Sequence, residues 1–343
     1  MRSGKDEGNG VSEPVYEVGD PAPPPLSRRS EAEVMVGWQG DKPLVSILCP
    51  TYQHVDFIED ALRGFLGQDT DFAFEILVRD DASTDGTVEI LRSYAAAFPN
   101  IIRLFLESKN TWGVISPIHA LLPHMRGAFF AVCEGDDYWV DPSGLAKLLD
   151  ALNRAPWAAM AHHGYLAVRG DAVVRAEDDG AKSDTSRDEI VSGEALALRS
   201  TLFRRDMLLS TDDFQRYSRR VWALDRFLTN ALGTRGGSTY VAGIAPAVYR
   251  LHDGGISSQL RRDREERSLQ KASDRFWTAA YLAGLGEQRA RDAHLRRSVD
   301  RFVNHFVEPR SDPRLALGLH LVQQWTHAQL RRARGKVRQL LGR

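Results

Sequence analysis

The sequence is poor in cysteine: only Cys49 and Cys133 occur in 343 residues, each inside an apolar stretch. Two such thiols make neither a disulfide framework nor a zinc pattern, and they point to a reducing compartment. A strong charge of one sign is also missing. The formal net charge is -1 at pH 7, which argues against a nucleic-acid partner. No apolar run approaches the roughly 18 residues that a membrane span needs, and the N-terminus lacks the apolar core of a signal peptide. These absences lead to the expectation of a cytoplasmic protein. What is present is an ordinary globular composition, 43% hydrophobic and 27% charged, in a chain long enough to bury a large core.

Residues 1–40 mix Gly, Ser, charges and the run Pro21-Ala22-Pro23-Pro24-Pro25, with little to bury, and are expected to form a disordered tail. Order is expected from Pro43. Leu44–Cys49 reads as a strand, a helix follows from about Asp56, and Phe74–Arg79 is a second strand. Ile101–Leu106 is a third strand, Trp112–Met125 is predicted helical, and Phe129–Cys133 is a fourth strand. Strands alternating with helices predict an α/β fold with a mainly parallel sheet, whose ligands sit at the carboxyl ends of the strands.

Three polar stretches fall at those ends. Pro50-Thr51-Tyr52 follows the first strand and Asp80-Asp81 ends the second. After the fourth come Glu134-Gly135-Asp136-Asp137-Tyr138-Trp139 and then Asp141. Crowded carboxylates at the mouth of a buried strand repel one another and lose hydration. A hard divalent cation, Mg²⁺ or Mn²⁺, relieves both penalties and keeps positions open for phosphate. An acidic turn capping the helix near Pro142 is the plainer alternative. For Asp80-Asp81 the plainer alternative is an Asx-type turn.

Taken in order, Val45-Ser46-Ile47 through Tyr52, Asp80-Asp81-Ala82-Ser83-Thr84-Asp85-Gly86-Thr87 and Glu134 to Trp139 resemble the family 2 glycosyltransferases of GT-A fold. The resemblance covers about Leu44 to Ser258. It implies an inverting transfer of a sugar from a nucleoside diphosphate sugar, UDP-sugar foremost, to a glycan or lipid-linked acceptor in polysaccharide synthesis. It implies Mn²⁺ or Mg²⁺ as cofactor. By match, Pro50, Thr51, Tyr52, Asp80 and Asp81 line the nucleoside site, Asp136 approaches the ribose or the metal, and Asp137 binds the metal. Glu134 stands where many relatives carry an aspartate; with Trp139 and Arg250 it is a candidate donor or acceptor contact. The chain departs from its relatives at Ile115-Ser116-Pro117-Ile118-His119, where many carry Arg-Asn near the sugar nucleotide.

Beyond the acidic motif, Ala158–Val168 reads as one strand, with His162 and His163 on opposite faces, one in the core and one in the cleft. Residues 170–189 read as an acidic loop, and Leu198–Phe203 as a strand. Leu224, Phe227, Leu228 and Leu232 keep helical spacing, which leaves Asp225 in the first turn and off the apolar face. On residues alone Asp225 is a helix-start carboxylate; the resemblance makes it the general base for the acceptor hydroxyl, with Asp212 and Asp213 as rivals. His252, between Arg250 and Gly254-Gly255, is by the same resemblance a metal ligand or a phosphate contact. Helices are expected over Leu260–Leu285 and Gln288–Phe306, in an extension running from residue 259 to 343. Residues 314–343 contain no acid, and that composition suits both an interfacial helix on an anionic membrane and a solvated helix packed on the catalytic domain. The rival functions are a nucleotidyltransferase, whose Gly/Lys-rich phosphate loop is missing at Pro50–His54, and a non-catalytic glycan- or sugar-nucleotide-binding protein.

Overall fold

The structure is a computed structural model that describes residues 21–111, 116–176, 183–193, 196–208, 212–221, 224–255 and 264–306. Strand β1 (Val45–Thr51) is buried along its whole length, as expected of a parallel strand covered on both faces. It pairs in parallel with β2 (Phe74–Asp80) on one side and β4 (Phe129–Val132) on the other, and β3 (Ile102–Leu106) extends the sheet beyond β2. The chain thus runs from β1 outward through β2 to β3, then returns to the opposite side of β1. That reversal opens a crevice at the carboxyl ends of β1 and β4, where open α/β sheets take their ligands.

Past β4 the sheet becomes mixed. β8 (Thr201–Arg204) runs antiparallel between β4 and β5 (Ala158–His162), and β9 (Gly237–Tyr240) closes a seven-stranded order of β3-β2-β1-β4-β8-β5-β9. A smaller sheet joins β10 (Ala247–Arg250), β6 (Tyr165–Arg169) and β7 (Ala172–Ala176). The expected single strand over Ala158–Val168 is therefore two strands in two sheets. The expected loop after Gly170 contains β7 and the helix α6 (Arg187–Val191). Leu198–Ser200 is a 3-10 turn that leads into β8. His162 and His163 are both buried, His162 against the Ser238 hydroxyl at 2.7 Å.

Alternation along the strands divides the core. Val45, Ile47 and Cys49 face one layer, built with α2 (Ile58–Leu66), α3 (Thr87–Ala97) and α5 (Gly144–Arg154). Leu48, Leu77 and Phe130 face the other, with the short α4 (Pro117–Leu121), α7 (Asp212–Ser218) and α8 (Leu224–Gly233). The helical hairpin of α9 (Arg264–Gly284) and α10 (Gln288–Phe306) belongs to this second layer. Tyr281 of α9 lies 5.0 Å from Phe227 and 6.4 Å from Phe214, ring to ring. No helix among the described residues is long and apolar enough to cross a membrane. The basic segment 314–343 lies outside the described residues.

The tail assignment needs correction over its second half. Helix α1 (Glu31–Met35) carries a Ser30–Glu33 capping box and buries Val34 to 1% exposure. Trp38 packs edge-on to Phe74 at 5.3 Å, and the Tyr138 hydroxyl donates to the Pro23 carbonyl at 2.8 Å. A few apolar residues spaced along a polar segment suffice to dock it when the core offers receiving sites. Residues 1–20 lie outside the described residues.

Candidate active site

The acidic motif leaves β4 and turns directly beneath the end of β1. Gly135 makes this approach possible: a Cβ there would sit 2.7 Å from Thr51 Oγ1 and 2.8 Å from Ile58 Cδ1. Gly64 of α2 does the same from the other side, since its Cβ would lie 2.7 Å from the Trp139 carbonyl oxygen. The loops after β1 and β2 carry left-handed backbone at non-glycine residues, Gln53 (φ 55°) and Ala82 (φ 65°). Such conformations cost energy and gather at ligand sites.

The three acids of the motif have different surroundings. Asp136 Oδ2 lies 3.1 Å from His252 Nε2 and 3.7 Å from His54 Nε2, while its Oδ1 is buried with no hydrogen-bond partner. Asp137 is 1% exposed; its Oδ2 accepts from Arg199 Nε at 2.6 Å and its Oδ1 from the Arg250 backbone N–H at 3.0 Å. Burial holds Asp137 above the usual carboxylate range against the pull of Arg199. Glu134 is pushed up to about 8 by burial, with the charges of Asp136 and Asp137 adding to the rise. His54 is held below its ordinary value by burial, against the opposing pull of Asp136. Two groups of donor atoms converge within 4.8 Å: His54 with Asp136 and His252, and Glu134 with Asp136 and Asp137.

Asp137, predicted as a metal ligand, has both oxygens engaged by protein donors, although it also stands in the donor group with Glu134 and Asp136. Asp136 holds the open oxygen. Trp139, predicted as a substrate contact, is a core residue: its indole N–H donates to the Arg199 carbonyl at 2.7 Å and its ring meets Phe65 at 5.0 Å. Arg250 is not a free cation, since it pairs with Asp60 and lies 4.3 Å over the Tyr138 ring.

The residues that the resemblance assigns to the nucleoside site lie at the adjacent ends of β1 and β2. Thr51 Oγ1 is 3.1 Å from His54 Nδ1, Pro50 is buried within β1, and Tyr52 is half-buried beside them. Asp80 accepts from the Ser83 backbone N–H at 2.8 Å and from the Ser83 hydroxyl. Asp81 accepts from Arg79 at 3.1 Å and from the Thr111 N–H and hydroxyl at 3.0 and 2.7 Å. Asp80 thus braces its own loop, the Asx-like arrangement that the sequence also allowed, whereas Asp81 ties the end of β2 to Thr111 beyond β3. Across the crevice, Asp225 is exposed in the first turn of α8, where its charge reaches Glu134 and contributes to that residue's raised proton affinity. Asp212 and Asp213 stand exposed in the first turn of α7. In the segment that departs from the relatives, residues 112–115 are outside the described set. His119 is buried against the Ser218 hydroxyl at 3.0 Å and contributes to the packing of α4 on α7.

His54 and Arg199 were missed from sequence. His54 lies three residues after Thr51 in a strand-end loop, a position that could have drawn notice. Arg199 reaches Asp137 across 62 residues of chain, and nothing local marks it.

Residues 46–181 match the family model "Glycosyl transferase family 2". The uncharacterized protein Rv1520 of Mycobacterium tuberculosis is 33% identical over 224 residues, 65% of this chain and 63% of that protein's length. The chain thus spans less than two thirds of the length of this relative. Among solved structures, residues 1–349 of TarS from S. aureus superpose with a TM-score of 0.59 at 16% identity, covering 81% of this chain and 80% of that one. TarS has also been solved with UDP-GlcNAc bound. The mannosyltransferase PcManGT of Pyrobaculum calidifontis, solved with GDP-Man and Mn²⁺, gives a TM-score of 0.50 at 18% identity over 94% of this chain and 90% of its own. These likenesses establish a mainly parallel α/β sheet of GT-A type. Through residues 46–181, the chain is similar to glycosyl transferase family 2.

Proposed function

We propose that this chain transfers a glycosyl group from a nucleoside diphosphate sugar, a UDP-sugar, to a hydroxyl of a glycan or lipid-linked acceptor. The observation that carries the reading is Asp136. At the β1/β4 crevice its Oδ1 is buried and unpartnered while its Oδ2 lies beside an imidazole nitrogen, with nucleoside-side loops on one flank and Asp225 on the other. An orphaned carboxylate oxygen is costly unless something occupies it. The residues therefore fit a divalent cation, with Asp136 and His252 as its holders and Asp137 as the anchor beneath them. The mannosyltransferase solved with Mn²⁺ and GDP-Man supports the choice of Mn²⁺ or Mg²⁺ as cofactor.

Each residue then has a task. Thr51, Tyr52, Asp80 and Asp81 bound the nucleoside. Glu134, between the cation holders and Asp225, contacts the transferred sugar. Asp225 takes the acceptor proton as the acceptor oxygen bonds to the anomeric carbon. The anomeric carbon–oxygen bond to the diphosphate breaks in the same displacement, and its electron pair leaves on the phosphate oxygen. A bound divalent cation would supply charge neutralisation of that diphosphate. Attack from the side opposite the leaving group gives inversion.

Asp225→Asn tests the assignment. The amide keeps size but cannot take the proton, so donor affinity measured by calorimetry should persist while transfer falls by roughly two to four powers of ten. Loss of donor binding would make Asp225 a donor contact, and unchanged transfer would move the base to another residue. A non-catalytic binding protein would show no transfer in any preparation.

A further inference from the structure

His54 is fixed more firmly than a surface loop residue. Its backbone N–H donates to Thr87 Oγ1 at 2.9 Å, and the next N–H, of Val55, donates to Asp85 Oδ2 at 3.0 Å. Its ring stands edge-on to Phe57 at 6.3 Å and to His252 at 6.1 Å. Nδ1 lies 3.1 Å from Thr51 Oγ1, so the hydroxyl oxygen can accept the Nδ1 proton. That tautomer turns the lone pair of Nε2 toward Asp136. The Nε2–Oδ2 separation of 3.7 Å is long for a hydrogen bond. It is close to what two ligands of one cation require: bonds of about 2.1 Å at right or tetrahedral angles separate ligand atoms by about 3.0–3.5 Å. The His252–Asp136 separation of 3.1 Å lies within that range.

We propose that His54 is the third protein ligand, completing with Asp136 and His252 a two-imidazole, one-carboxylate cation site that loads before the nucleotide and favours Mn²⁺ over Mg²⁺. The inference rests on the reading of this crevice as a cation site and extends it to occupancy and metal choice. A carboxylate alone needs the diphosphate to complete a cation's coordination. Three protein donors hold a cation without it and still leave positions for phosphate oxygens. Imidazole nitrogen suits the later first-row metals, whereas Mg²⁺ demands oxygen ligands and gives up water reluctantly. The Thr51 hydroxyl serves as the outer partner that fixes a ligating histidine's tautomer.

Mn²⁺ binding to nucleotide-free protein, followed by calorimetry and by the Mn²⁺ electron paramagnetic resonance signal, tests this. The wild type should take one Mn²⁺, and about a tenfold excess of Mg²⁺ should not displace it. His54→Gln should weaken Mn²⁺ by about 10- to 100-fold, and Thr51→Val, which leaves the ring but removes the acceptor of its Nδ1 proton, by about 10-fold. Melting of each metal-free variant checks folding, and the Thr51→Val arm decides the matter if His54→Gln does not fold. Wild-type affinity in His54→Gln, or in Thr51→Val where that arm decides, would overturn the proposal, as would no Mn²⁺ binding by the wild type without nucleotide. Repeating the titration with UDP separates the two readings. Mn²⁺-dependent UDP binding that survives in His54→Gln but not in Asp136→Asn would leave the cation site standing and remove His54 from it. No Mn²⁺ dependence of UDP binding in the wild type would remove the cation site itself.

Discussion

Asp137→Asn separates an anchor from a metal ligand. The wild-type carboxylate is 1% exposed, takes the Arg199 guanidinium at 2.6 Å and closes a second hydrogen bond from the Arg250 backbone N–H at 3.0 Å. Arg199 is itself largely buried and lies 3.9 Å over the Tyr249 ring, so its charge has little water to fall back on. The amide keeps one acceptor oxygen but removes the counter-charge and turns an N–H₂ group toward protein donors. Breaking a buried pair by removing one partner costs about 3–5 kcal/mol. For a unit of 150–250 residues each kcal/mol moves the melting temperature by about 2–4 °C, so a fall on the order of 10 °C is expected. The assays are thermal melting of the metal-free protein and Mn²⁺ titration of the same preparation. Melting should drop sharply, while Mn²⁺ affinity at a temperature where the variant is folded should stay within about threefold of wild type, far from the 10- to 100-fold expected for a lost partner of a metal site. An unchanged melting temperature with abolished Mn²⁺ binding would refute the reasoning and restore Asp137 as a ligand.

Three further outcomes are expected. Gly64→Ala should destabilise by about 1–3 kcal/mol or more in denaturant titrations, because its Cβ would meet the Trp139 backbone at 2.7 and 2.8 Å and push the acidic motif away from β1. Val34→Asp should lower stability by about 2 kcal/mol or more, since Val34 is 1% exposed in α1; a silent substitution would return that helix to the status of a loose arm. Burial lowers His294 from its ordinary 6.5 to about 4. Between those values the unfolded chain binds more protons, so stability should fall as pH drops from 6.5 to 4, by up to about 3 kcal/mol. His294→Gln, which can still donate to the Val191 carbonyl, should flatten that slope in melts across pH; an unchanged slope would place the acid sensitivity at other groups.

The sequence by itself determined the strand–helix alternation from Val45 to Val132, since each strand is a short apolar run closed by polar residues and each long helix repeats its apolar positions at helical spacing. It determined which strand ends carry carboxylates, because a parallel sheet puts all its carboxyl ends on one edge. It also placed Asp225 in the first turn of α8, where the structure has it. The tertiary structure alone decided how those carboxylates divide their tasks. Asp136 and Asp137 are neighbours of the same type, and only Arg199, arriving from the turn before β8, makes one an anchor and leaves the other open. It alone decided that β8 inserts antiparallel between β4 and β5, a pairing that its own residues do not encode. His54, Arg199 and Val34 share the same cause of invisibility. Their roles depend on partners that the fold brings up from elsewhere in the chain, Asp137 for Arg199, Asp136 for His54 and the core cluster for Val34, and local periodicity carries no record of any of them.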